Sequence, residues 1–209
     1  MPGAKQEAAG ADVPPAASPQ YEGIAVLGSH PATKMRAPFD KPWLIYACSP
    51  CNTPYGFSKG AGPLPRVDVW FEVHLPVFDR TRPYPYLGWI ADNAAKIYMR
   101  DKVAMSFCHP DGSKLFPNAV AYPEDAIKDE FGPCTFTSSI AYQIALAIKD
   151  CERMNIPQIG LWGIMQSSPN EYTNQRPGIQ NLIWAAVKRG IKIIAPEESR
   201  LFEPPPEDF

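Results

Sequence analysis

With 209 residues, 45% of them hydrophobic and 20% charged, the chain has the make-up of a globular domain long enough to bury a full core. A net charge of −2 excludes a broad basic surface, so DNA as a partner gets no support from charge. No stretch approaches the roughly 20 apolar residues of a membrane span, so no membrane partner is expected.

Residues 1–20, rich in Ala and Pro, read as a flexible arm, and residues 203–209 as a short acidic tail. The arm lacks the apolar run of a secretion signal, and the five cysteines are odd in number. Both point to reduced thiols and a cytoplasmic location. Cys48 and Cys51 have zinc or redox spacing, with Cys108, His109 and Cys134 as conceivable further ligands. A single CxxC is weak evidence, so buried thiols are the expected reading and no metal site is assigned. The 25 prolines imply long ordered loops.

Residues 21–202 show no repeat or linker and are expected to form one domain. Apolar runs at 24–28, 43–47, 67–73, 96–99, 159–163 and 191–195 read as strands. Most are continuous, as in strands covered on both faces. A helix is expected from Ser138 to Glu152, capped by Thr137 or Ser138, with Ile140, Ile144, Ala145 and Ile148 on one stripe. A second runs from Pro177 to Arg189, with Gly190 just past its end. Weaker helical patterns cover Leu87 to Ala95 and Glu124 to Phe131. Consecutive helix–strand units demand right-handed crossovers. The expected fold is α/β, a three-layer Rossmann-like domain with a mostly parallel sheet.

Ligands of such sheets sit outside the carboxyl ends of the strands. The loops there carry Gly28, Ser29, His30, Pro31 and Thr33 after the first strand, and Ser49 and Asn52 after the second. The third strand brings Glu72 and His74 to its end, on one face by alternation. A charged residue in a central strand is costly unless paired, so Glu72 and His74 form either an acid–base unit or an edge polar cluster. Thr137, Ser138 and Ser139 open a helix whose free N–H groups attract phosphate without a lysine. A long polar connection adds Glu171, Tyr172 and Arg176, the latter two either clamping phosphate or decorating a solvated loop.

"IAVLGSHPATKM", "WLIYACSPCN" and "RVDVWFEVH", followed by "CTFTSSIAYQIALAI" and "IPQIGLWGI", together resemble bacterial sialyltransferases of glycosyltransferase family 42. The likeness spans about residues 22–202. With "YTNQRP" the arrangement also looks like a group of short phage and prophage proteins with Rossmann-like domains. Gly28, Pro31 and Thr33 match the family's donor loop, and Thr137 and Ser138 its helix-opening segment; His30 and Ser139 stand where it has glycines. Asn52 lies three residues beyond the family's asparagine position at Ser49, and the long loop has Glu171, Tyr172 and Arg176 but no histidine.

The resemblance implies a nucleotide-sugar-dependent glycosyltransferase, with a nucleotide as substrate and no cofactor or required metal. His74 or Glu72 would be the base for the acceptor hydroxyl. A phage setting, in the host cytoplasm, would make modified DNA bases a natural acceptor. Two other readings stay open. One is a nucleoside or nucleotide N-glycosidase, or a deoxyribosyltransferase-like enzyme, with Glu72 or Glu171 as its carboxylate. The other is a non-catalytic nucleotide-binding phage accessory protein. Oligomeric state is not legible.

Overall fold

A computed structural model describes residues 20–48, 64–74, 84–166 and 174–202. Within it the apolar runs become β1 (Gly23–Leu27), β2 (Trp43–Cys48), β3 (Val69–Glu72), β4 (Lys96–Met99), β5 (Ala119–Ala121), β6 (Gln158–Trp162) and β7 (Lys192–Ile194). They form one sheet in the order β5-β4-β3-β2-β1-β6-β7, and every pairing is parallel. This is the Rossmann-like α/β sheet expected from the continuous runs. The interior strand β1 is buried along its whole length, because it is flanked by β2 and β6 and both its faces are covered.

The chain builds outward from β1 to the β5 edge, then crosses back to place β6 on the other side of β1. The switch point, where ligands of such sheets bind, is therefore the crevice between β1 and β6. The strand β5 has no counterpart among the expected elements. Its three residues are half-buried or exposed, too few and too mixed for a periodic signal.

The helices are α1 (Pro31–Lys34), α2 (Tyr84–Asn93), α3 (Glu124–Phe131), α4 (Ser139–Met154) and α5 (Arg176–Lys188). Helix α1 falls where only a loop was expected. His30 Nδ1 accepts from the Ala32 N–H at 3.3 Å, and Pro31 supplies a preset φ at the first position. Helix α4 starts as expected: Ser138 Oγ accepts from the Ala141 N–H at 3.3 Å. It ends at Asn155, which adopts a left-handed φ of 54°. Because α4 lies against the sheet and also meets α3 and α5, its buried residues exceed one stripe and include Gln143 and Ala147. Each buried isoleucine there contributes about 1.5–3 kcal/mol.

Helix α5 ends at Lys188, and Gly190 follows at a φ of 77°. Near its start it crosses the short turn Pro133–Thr135 so closely that a Cβ on Gly178 would lie 2.2 Å from the Thr135 carbonyl oxygen. On the α4 face of the sheet the rings of Phe71 and Tyr98 stack at 5.5 Å, and Tyr122 meets Tyr142 of α4 edge-on at 5.2 Å. These contacts fix α4 relative to β3 and β4. No helix among the described residues is long and apolar enough to cross a membrane.

Candidate functional site

Two groups of residues meet at the carboxyl edge of the sheet. The first closes the β1/β6 crevice. Gly28 N–H donates to the Trp162 carbonyl at 2.8 Å, His30 N–H to the Gly163 carbonyl at 2.9 Å, and Gly163 N–H to Thr33 Oγ1 at 2.7 Å. A Cβ on Gly28 would lie 2.3 Å from Gly163 O, and one on Gly163 would lie 2.4 Å from Gly28 O. Glycine is thus needed at 28 because another backbone passes against it. Gly163 also has a φ of 69°.

Around this contact the expected ligand loop is only partly open. Ser29 and His30 are half-buried, and Pro31 is exposed at the start of α1. Thr33 is buried, with its hydroxyl engaged by Gly163. Lys34 is fully buried, and its Cβ sits 3.1 Å from where a Gly163 Cβ would be. The sequence reading passed over this lysine, expecting an anion to be held by amides alone. Its one legible signal is local: in "HPATKM" it follows His30 by one helical turn.

The N-terminus of α4 stands over the end of β1. Gln143, fully buried one turn into α4, donates from Nε2 to the Leu27 carbonyl at 3.4 Å. Its Oε1 meets no donor among the described residues. This bond places the first N–H groups of α4, which have no intrahelical acceptors, beside the loop that follows β1. Ser138 occupies the cap, Ser139 the first helical position, and Thr137 is exposed just ahead of them. Arg176, by contrast, is buried; its Nε donates to the Leu201 carbonyl at 2.9 Å and anchors the start of α5.

The second group lies at the end of β3. Glu72 is fully buried, and its Oε1 is 3.0 Å from His74 Nδ1. The His74 side chain is 42% exposed, so one end of the pair reaches solvent. Behind it stands Arg100, which sequence reasoning missed. Arg100 Nη1 donates to the Val73 carbonyl at 3.2 Å, while Nε and Nη2 hold both oxygens of Glu124 at 2.7 Å. Its guanidinium lies 5.1 Å from the centre of the Tyr142 ring. The Arg100 bonds hold the Glu124 carboxyl below its usual value, helped by Lys128, while burial opposes them. Arg100 thereby ties β4, α3 and α4 to the backbone just before His74. Only the tertiary pairing of β3 with β4 brings it there.

His30 and His74 therefore follow β1 and β3 at the same edge, and these two strands, with β2 between them, are roughly 10 Å apart from the spacing of neighbouring strands. Ser49, Asn52, Glu171 and Tyr172 lie outside the described residues, as do Cys51 and both terminal segments. Among the described residues no cluster of three metal-ligating side chains occurs. Cys48 and Cys151 are buried, whereas Cys108 and Cys134 are exposed.

Comparison with solved structures finds the sialyltransferase CST-II, an asparagine-to-alanine variant in complex with CMP. The TM-score is 0.50 and the identity 13%, over 83% of this chain and 81% of that one. At that identity the likeness is one of fold, and it agrees with the Rossmann-like sheet described above. No protein-family model matches the sequence. No curated protein sequence matches it either.

Proposed function

We propose that this protein binds a nucleotide at the carboxyl edge of its sheet and acts as a glycosyltransferase on a nucleotide-sugar donor. The observation that carries the reading is the Glu72–His74 pair, placed on the same edge as the amide-rich start of α4. Glycosyl transfer needs a base for the acceptor hydroxyl and stabilisation of the departing phosphate. His74 takes the hydroxyl proton on its solvent-facing nitrogen, and Glu72, hydrogen-bonded to Nδ1, orients the ring. The donor lies over Gly28, Ser29 and His30, with its phosphates toward the N–H groups of Ser138 and Ser139. The CMP bound by the structural neighbour supports a nucleotide as ligand.

Lys34 is buried against Gly163 and Arg176 is buried with its Nε on the Leu201 carbonyl, so neither is assigned a direct phosphate contact. Glu72 is likewise buried behind His74, which favours transfer over N-glycoside cleavage with Glu72 as the group that meets the sugar. Ser49, Asn52, Glu171 and Tyr172 complete the proposed site from the adjoining loops, and a modified DNA base is one acceptor to test.

The test is a thermal-shift and equilibrium-binding screen with CMP, UDP, GDP and their sugar conjugates. A true ligand at 100 times its dissociation constant stabilises by about 2.7 kcal/mol. His74→Ala keeps that shift and abolishes transfer, whereas Ser138→Ala weakens the shift. Failure of all three nucleotide classes overturns the reading.

A further inference from the structure

A cavity of about 430 Å³ lies at the opposite end of the strands from the proposed nucleotide site, between α3 and α4 over β4. Lys96, the first residue of β4, lies at its base. Asp150 and Arg153, from the last turns of α4, lie on its other side. The volume is that of a small-molecule site.

Its charges are not balanced. Asp150 is buried and already takes a hydrogen bond from the Tyr46 hydroxyl and another from Arg153 at 2.7 Å. Glu130 is held by Lys149 at 2.9 Å and by Arg189 at 3.1 Å. Both carboxylates therefore have cationic partners. Lys96 is the exception: among the described residues its ammonium meets no carboxylate and rests over the Tyr98 ring, 4.6 Å from the centroid. The remaining wall is apolar. The Tyr98 ring is supported from behind by Phe71, and Ile127 and Leu146 close the inner end.

We propose that this cavity binds a small organic anion, a carboxylate or phosphate carried on a planar apolar body. The anionic group pairs with Lys96 and with the exposed guanidinium of Arg153. The ring packs against Tyr98, Ile127 and Leu146, where Lys96 now sits. An isolated inorganic anion gains only the charge contact, in a setting open to solvent, and is held weakly. A neutral ring leaves the Lys96 charge unmatched. The site is independent of the nucleotide reading, because the cations that would hold the anion, Lys96 at the start of β4 and Arg153 at the end of α4, lie at the other end of those elements.

The experiment uses the full chain with labelled methyl groups, titrated with benzoate, phenyl phosphate, acetate and inorganic phosphate. Benzoate or phenyl phosphate gives saturable shifts of the Ile127 and Leu146 methyls, and the stronger of the two identifies the acid group. Acetate and inorganic phosphate give none. Lys96→Gln, at an exposed strand start, weakens binding about two- to fivefold, as removal of a solvent-open charge pair does. Ala126→Phe, which fills the cavity from an exposed position on α3, abolishes binding, whereas Lys188→Gln leaves it unchanged. No saturable shift with either aryl anion overturns the proposal. Binding unweakened by Lys96→Gln, or surviving Ala126→Phe, overturns it as well, and unperturbed methyl spectra elsewhere show that each variant folds.

Discussion

The close passage of Gly28 against Gly163 makes a quantitative prediction about Gly28→Ala. The new methyl carbon lies 2.3 Å from Gly163 O and 2.9 Å from Ile164 Cγ1, so backbone must move, not a side-chain tip. Parting the two loops stretches the bonds from Gly28 N–H, His30 N–H and Gly163 N–H, at 2.8, 2.9 and 2.7 Å. At about 1 kcal/mol for each bond, and more where a buried group is left unpaired, the expected loss is about 2–4 kcal/mol. Two other glycines calibrate the effect. Gly112 has open space around its missing Cβ but a φ of 85°, so Gly112→Ala costs about 1 kcal/mol of backbone strain alone. Gly88, inside α2 with nothing within 4 Å, gains about 0.5–1 kcal/mol on substitution by Ala. Urea unfolding of the three variants and the parent, compared at constant m-value, reads the order directly. A Gly28→Ala midpoint no lower than that of Gly112→Ala refutes the argument that backbone contact closes this crevice.

Arg100→Ala should lose about 2 kcal/mol in the same assay, since it strips the Val73 carbonyl and Glu124 of a shared partner. Arg36→Ala, whose partner Glu198 is as half-exposed as Arg36 itself, should lose clearly less than Arg100→Ala; an equal effect of the two would deny Arg100 its anchoring role. Stability should fall as pH rises above about 9. Burial pushes the Cys151 thiol from 9.0 up to about 12, with Asp150 and Glu152 adding to it, and burial with Asp150 raises Tyr46 well above 10.0. In that range the unfolded chain has released protons that the fold retains, so thermal melts at pH 8 to 11 should shift steadily downward. On the acid side the Glu124 contribution is present above its ordinary value of 4.5 and disappears as pH falls through its lowered native value, so Glu124→Gln should flatten that limb of the melting curve. A thiol-reactive probe at pH 8 should label Cys108 and Cys134 quickly and Cys151 only after denaturation; rapid native labelling of Cys151 would contradict its burial.

Much of the scaffold was readable because it is written in local periodicity. The runs at 24–28 and 159–163 are continuous since β1 and β6 are covered on both faces. Ser138 announces α4 because a cap depends on a neighbouring hydroxyl and amide. The Glu72–His74 pair follows from alternation along one strand, where residues two apart share a face. What escaped the sequence joins residues far apart in the chain. Gly28 reads as an ordinary turn until β6 is laid beside β1 and presses Gly163 against it. Thr33 looks like a free ligand hydroxyl until that same loop supplies an N–H to it, and Lys34 looks like a surface lysine until α1 folds it under. Arg100 and Gln143 carry no local signature, because their partners Val73 and Leu27 arrive only through strand pairing and helix packing. Side-chain alternation and capping are short-range and survive in one dimension; burial and backbone contact are properties of the packed sheet, so they are decided only in three.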